Sequence, residues 1–300
     1  MSEVLLPDFI KSNVGCQGTV KKQTGQSNDG NLRHGGDVNV VSDFWAQHAI
    51  DKIRATYGDE TRMSPTSFLK FGKTFNSDSG SQTTVAIMPD SLLHETFVST
   101  NAIDSISSAS TSDVGQPVTI EGHTISGGVF TSASQVISLN GQNRVALTTP
   151  LARVQRAYTI DPNGLVAPVY IFENVALTGG VPTVDANVHL IIDSGQVQSR
   201  KASSTCSNVE YGIITMMTGS VNRTSTANVD MELQIRPIGE AFRPAYEDSL
   251  RSTGGNRFSI DFRPYIIAPK NSDIRVVAAS SANNTTVAAS YGVINCAVQS

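Results

Sequence analysis

Asp230 and Glu232 stand two residues apart in the run VDMELQIRP, on one face of an extended strand, which is the placement a paired-carboxylate hydrolase would use. Val229, Met231, Leu233 and Ile235 alternate with Asp230, Glu232, Gln234 and Arg236, so the same period turns both acids toward solvent. The pair is read as a solvated strand face. His34, His48, His94, His123 and His189 are far apart, and none stands in an H-E-x-x-H or H-x-H arrangement that would set two imidazoles on one metal. Scattered histidines of this kind are surface or partly buried side chains. Cys16, Cys206 and Cys296 are odd in number and lack CxxC spacing, which predicts buried thiols in place of a disulfide framework or a thiolate zinc site.

Other reactive patterns are equally scarce. There is no G-x-S-x-G, and the tracts NSDSGSQ and SISSASTSD lack the strand, elbow and helix that expose a nucleophilic serine. No GxxxxGK[ST] or GxGxxG stands at a strand-to-helix junction. NRT at Asn222 and NNT at Asn283 are read as polar turns. The expectation is a protein that is not an enzyme, with no catalytic residue, no cofactor and no bound metal.

The elements fall into three regions. Residues 1–40, including GCQGTVKKQTGQSNDGNLRHGGDVN, hold too few apolar side chains to pack a core and predict an extended N-terminal arm. SDFWAQHAIDKIRATYG follows, with Ser42 or Asp43 as cap and Gly58 as stop. Its Ala46, Ile50, Ile53 and Tyr57 share one face of a short helix. The apolar stripe of that helix either caps the sandwich or, with Trp45 beside a long tail, clasps a neighbouring subunit, and Phe44, Trp45, Ile50 and Ile53 are the candidate interface residues. A second helix is expected at PDSLLHETF (89–97), and TSFLKFGKTF and TTVAIMP are expected as a hairpin or two adjacent strands. Residues 41–115 thus read as a helix plus short strands, a linking or capping region.

Beyond Thr100 the helical period gives way to short strands: PVTIEG, HTISGGVFT, SQVISLN, RVALTT, RVQRAYTID, PVYIFEN, NVHLIID, VEYGIITMMTG, NVDMELQIR, EAFRPAY, RFSIDFRP, DIRVVAAS and TTVAASYGVIN. Asn140-Gly141, Pro162-Asn163-Gly164, Gly179-Gly180 and Gly254-Gly255 supply turns, and Pro237, Pro244, Pro264 and Pro269 sit at or beyond strand ends. Strands without intervening helices predict a mainly β chain, an antiparallel β-sandwich or jelly roll over residues 116–300.

Composition narrows the partners. A net charge of −4 with only 16% charged residues argues against a grip on nucleic-acid backbones. No stretch of about 20 apolar residues is present, so a membrane span is not expected, and the start of the chain lacks the pattern of a secretory signal. On this reading the protein is made in a cytoplasm.

Four blocks, NGQNRVALTTPLARVQRAYTID (140–161), KASSTCSNVEYGIITMMTGSV (201–221), DMELQIRPIGEAFRP (230–244) and APKNSDIRVVAASSANNTTVAASYGVI (268–294), resemble virion structural proteins of tailed bacteriophages, particularly marine ones. The resemblance spans roughly residues 120–295. It implies a β-sandwich or jelly roll on the virion, made in the bacterial host cytoplasm and commonly trimeric. It carries over no functional residues. The expected role is a head decoration (cement) protein, a homotrimer bound to the major capsid protein or other virion proteins; a tail, neck or baseplate component and a host-glycan-binding module are the alternatives.

Overall fold

The computed structural model describes residues 62–299 apart from 90, 162–163 and 254–255. The expected arm and the Trp45 helix, with Phe44, Trp45, Ile50 and Ile53, lie outside the described residues. One compact unit comprises Met63–Phe262 and Ile266–Val298.

The chain is mainly β, as expected. Its strands are β1 (Arg62–Ser77), β2 (Gln82–Thr84), β3 (Ile103–Ser108), β4 (Val114–Ser126), β5 (Val129–Asn140), β6 (Val145–Leu151), β7 (Arg153–Thr159), β8 (Val169–Glu173) and the short pair β9 (Leu177–Thr178) and β10 (Val181–Pro182). There follow β11 (Val188–Ile192), β12 (Ser203–Thr205), β13 (Glu210–Asn222), β14 (Asn228–Pro237), β15 (Arg243–Arg251), β16 (Arg257–Ala268), β17 (Ser272–Ser280) and β18 (Thr285–Gln299).

Two sandwiches result. The first pairs a sheet in the order β1-β18-β13-β16 with a sheet in the order β12-β17-β14-β15, where β2 also lies against β17. Counting β1, β2 and β13 to β18 as strands one to eight, the sheets read 1-8-3-6 and 2-7-4-5, the strand order of a jelly roll. The second sandwich, β11-β8-β3-β6 over β5-β4-β7, is inserted whole between β2 and β12. Its core is an apolar cluster that includes Ile106, Val118, Ile120, Leu151, Val169, Ile171 and Ile192. The jelly roll therefore draws strands from both sides of residue 116, where the sandwich domain was expected to begin.

Alternation explains the central strands. Val229, Met231 and Leu233 of β14 are fully buried while Asp230 is exposed. Gly219 of β13 lies where a Cβ would stand 2.7 Å from Met231 Sδ, so its missing side chain lets β14 pack close. β17 departs from the pattern: Asp273, Ile274, Val276, Val277 and Ala278 are all buried, because neighbouring chain covers its second face as well.

Several expectations are corrected. Residues 89–97 do not form a helix, because their polar groups pair with β2: Thr84 N donates to Leu93 O (2.8 Å) and Glu95 N to Thr84 Oγ1 (3.4 Å). β1 and β2 are not partners of one another; β1 joins β18 and β2 joins β17, so their polar connection carries the chain from one jelly-roll sheet to the other. HTISGGVFT is not one strand, because Gly127 and Gly128 adopt φ of 56° and 78° and turn β4 back into β5, with Ser126 opposite Val129. Pro264 falls inside β16, where the register with β13 is interrupted between Asp261 and Ile266 on an edge strand.

Where β1 crosses the jelly-roll edge, a Cβ on Gly72 would stand 1.9 Å from Val85 O and 2.4 Å from Ala202 N, both backbone atoms. Gly72→Ala is expected to destabilise the protein by about 1–3 kcal/mol, measured as a lower denaturation midpoint.

Candidate functional site

Most buried charge gathers where the inserted sandwich meets the jelly roll. Asp273, at the start of β17, accepts from Arg153 Nε (2.9 Å) and Nη2 (3.1 Å), from Arg236 Nη2 (2.5 Å) and from Thr205 Oγ1 (2.7 Å). Arg153 comes from β7 of the inserted sandwich, whereas Arg236 and Thr205 come from β14 and β12 of the jelly roll. Burial alone would raise the Asp273 pKa, but the two guanidinium groups, Arg153 foremost, and the Thr205 hydroxyl hold it below the ordinary carboxylate value. Three aromatic rings sheathe the pair. Arg153 lies 4.9 Å from the Phe97 centroid and 4.8 Å from Phe130, Arg236 lies 4.4 Å from Phe97 and 4.5 Å from Phe242, and Arg275 lies 3.8 Å from Phe242. Desolvated cations against ring faces are attracted by the quadrupole, so the arrangement clamps the two sandwiches together.

A second charged group lies nearby. Lys201 Nζ contacts Glu95 Oε2 at 2.7 Å and donates to Val154 O at 2.9 Å; Ser203 Oγ also donates to Glu95 Oε2, at 2.9 Å. Lys70 of β1 is buried and donates to Gln155 O at 2.6 Å. Burial first, then the charges of Lys201 and Arg156, push its amine pKa down to about 7.

His123 of β4 is the most reaction-like feature. It lines a cleft with Ser132, Gln155, Glu121, Glu210 and Asn295, and its Nε2 lies 3.3 Å from Ser132 Oγ. Its other nitrogen decides the chemistry. Gln155 Nε2 donates to Thr205 O (2.5 Å), which fixes the amide orientation, and the same nitrogen faces His123 Nδ1 at 3.2 Å. Nδ1 is therefore an acceptor, Nε2 carries the proton, and Ser132 receives a hydrogen bond from the ring instead of giving it a proton. Burial, the largest cause, lowers the His123 pKa to about 4, so the ring is neutral at pH 7.

The remaining sequence-flagged residues stay apart. His189 is buried and pairs with Glu173 Oε1 at 2.9 Å, while His94 is half-buried beside Thr84. His34, His48 and Cys16 lie outside the described residues. Among the described residues there is no cluster of three histidine, cysteine or acidic side chains placed to hold a metal ion. Cys206 and Cys296 are both buried, and burial raises both thiol pKa values, that of Cys206 to about 12. Asp230 accepts from Ser249 Oγ (2.6 Å), and Glu232 accepts from Gln82 and Gln234 (2.7 Å each). Each acid is thus occupied by a strand neighbour. No helix among the described residues is long and apolar enough to cross a membrane.

Sequence reasoning missed the Arg153, Asp273 and Arg236 clamp and Lys70. The available signal was a charge set within otherwise apolar strand text, as in SFLKFG, PLARVQ and SDIRVVA.

The fold and this clamp define a two-tier β protein: a jelly roll carrying an inserted sandwich. No family model and no curated protein matches the chain. Among solved structures, that of infectious bursal disease virus Gx strain is 8% identical, covers 79% of this chain and 73% of that chain, and has a TM-score of 0.22. The infectious bursal disease virus VP2 subviral particle is 10% identical, with 80% and 73% coverage and a TM-score of 0.21. A Bacillus thuringiensis Cry1Da tryptic core variant is 6% identical, with 74% and 53% coverage and a TM-score of 0.17.

Proposed function

We propose that the protein is a structural component of a virus particle, of the tailed-phage kind its sequence blocks resemble, and that it acts as a homotrimeric head decoration protein. The observation that carries this reading is the jelly-roll strand order with a second sandwich inserted between β2 and β12 and clamped to it by buried charge. A jelly roll is a recurrent architecture of capsid proteins. Here it supplies a rigid body whose work is contact between subunits, with no bond made or broken.

Apolar side chains at one end of the inserted sandwich support such contacts. Ile160 is 77% exposed, Val166 60% and Val114 59%. Val197 joins them, and their loops are tied by bonds from Val166 N to Asp113 Oδ1 and from Thr159 N to Val197 O. Each 100 Å² of apolar area buried there contributes on the order of 2.5 kcal/mol before ordering costs, so many copies sum to a strong lattice.

The two-tier build favours one second reading, a shell-forming subunit whose inserted sandwich projects from the shell. Light scattering and electron microscopy of the purified full chain separate the two. Discrete trimers that add to preformed particles and cover the head lattice support decoration, density at a single vertex supports a tail or neck position, and closed shells formed by the chain alone support the second reading. A chain that stays monomeric and joins no particle overturns all three. Deleting residues 1–40 is expected to leave a folded trimer that no longer binds particles; undiminished particle binding would show the arm to be dispensable.

A further inference from the structure

On the outer face of the β1-β18-β13 sheet lies a depression of about 370 Å³ whose lining includes Phe71, Lys73, Arg200, Thr218, Ser220 and Ser290. Strand alternation places these groups there: Met217, Gly219 and Val221 of β13 point into the core, so Thr218 and Ser220 point out, and Ser290 of β18 stands directly opposite Thr218.

Every polar side chain lining this depression can donate a hydrogen bond, and two of them are cations. Lys73 and Arg200 are both half-buried, and neither has a carboxylate partner among the described residues. The Lys73 ammonium rests 4.4 Å from the Phe75 ring, and Arg200 spends one N–H on Gln196 Oε1, which leaves the rest of its planar fork unused. The Thr218 and Ser290 hydroxyls lie 2.6 Å apart, so one donates to the other and the second proton is free to point outward. Ser220 has no hydrogen-bond partner among the described residues. The lining contains no acidic side chain. In a chain of net charge −4, two cations and two available hydroxyl donors lining one concave surface suit a tetrahedral oxyanion, which accepts on every face.

We propose that this depression binds a saccharide unit bearing one sulfate or phosphate group. Lys73 and Arg200 take the oxyanion and the hydroxyls complete its shell. The space exceeds what the anion alone fills, and the Phe71 ring offers an apolar face to the sugar. Two cations are too few to follow a nucleic-acid backbone, which sets the saccharide ahead of an oligonucleotide. The inference is independent of the virion reading, since it concerns this sheet face whatever particle or cell carries the protein.

Calorimetric titration of the full chain tests it with four ligands: glucosamine 6-sulfate, unsulfated glucosamine, sodium sulfate and a short single-stranded oligonucleotide. The expected result is binding of the sulfated sugar at least tenfold tighter than of the unsulfated one, weakened by added salt. In Lys73→Gln/Arg200→Gln that binding should fall at least tenfold while the melting temperature holds. Ser220→Asp, which adds a carboxylate at an outward position, should abolish binding in the same way. Sulfate alone binding as tightly as the sulfated sugar would overturn the saccharide and leave a plain anion site. Tighter binding of the oligonucleotide would overturn the choice of ligand, and no binding of any anion, or full binding by the double variant, would overturn the site itself.

Discussion

Asp273→Ala is expected to cost about 3–5 kcal/mol in stability, read from chemical denaturation at pH 7, because it strands Arg153 and Arg236 without their shared carboxylate. Arg153 is the more exposed to this loss, since its side chain is 9% accessible and its guanidinium cannot shed its proton. A double-mutant cycle with Arg153→Met should return a coupling of about 0.5–3 kcal/mol, since the two residues share one bidentate contact. The pH dependence has a definite sign. The folded carboxylate titrates below its ordinary value of 3.8, so its stabilisation is fully present above that value and is lost as pH falls through the folded one. Asp273→Ala should lack that part of the acid-denaturation profile. A wild-type and a variant profile of the same shape would show that the carboxylate does not act as an ion in the folded protein.

Lys70→Met is expected to move stability the other way, raising it by about 1–4 kcal/mol at and below neutral pH, because it removes a buried cation and keeps an unbranched apolar side chain of similar length. The amine pKa of about 7 lies below its ordinary 10.5, so below pH 7 both folded and unfolded chains hold the proton and the folded chain carries the whole burial penalty. Between pH 7 and 10.5 the folded chain releases the proton first, and wild-type stability rises. The variant should lack that rise, and the two curves should converge near pH 10.5. Loss of the 2.6 Å bond to Gln155 O offsets part of the gain, by about 1 kcal/mol. A variant less stable than wild type at pH 6 would mean that Lys70 is held charged by Glu95 and Glu121.

How far the sequence could be read depended on how far burial followed strand period. In β14 it did: Val229, Met231 and Leu233 face the core, and the alternation alone placed them. The turn at Asn140-Gly141 was also legible, since Gly141 adopts φ of 57°. The insertion was not, because nothing local distinguishes a strand of one sandwich from a strand of the next; RVQRAYTID and DIRVVAAS both read as strands, and they form β7 of the inserted sandwich and β17 of the jelly roll. Residues 89–97 misled because a proline, an acid and two leucines make a fair helix start, and only long-range pairing with Thr84 shows why the segment stays irregular. The clamp escaped notice for a related reason. Asp273 and Arg153 stand 120 residues apart, and each alone looks like a surface charge at a strand end. His123, dismissed as scattered, proved to be buried beside Ser132, yet in the tautomer opposite to the one a nucleophile requires.

The inserted sandwich leaves and re-enters the jelly roll on adjacent rungs: Ala86 is bridged to Lys201, and Ala202 N donates to Val85 O at 2.9 Å. The excursion is in effect a cassette, and a graft of a foreign domain or a short turn between residues 87 and 200 would ask no rethreading of the lower tier. Three charged groups resist the exchange: Asp273 would lose Arg153, Lys70 would lose Gln155 O, and Lys201 would lose Glu95 and Val154 O. A transplant therefore needs a donor that supplies a guanidinium and acceptors at those places, or apolar residues at 273, 70 and 201.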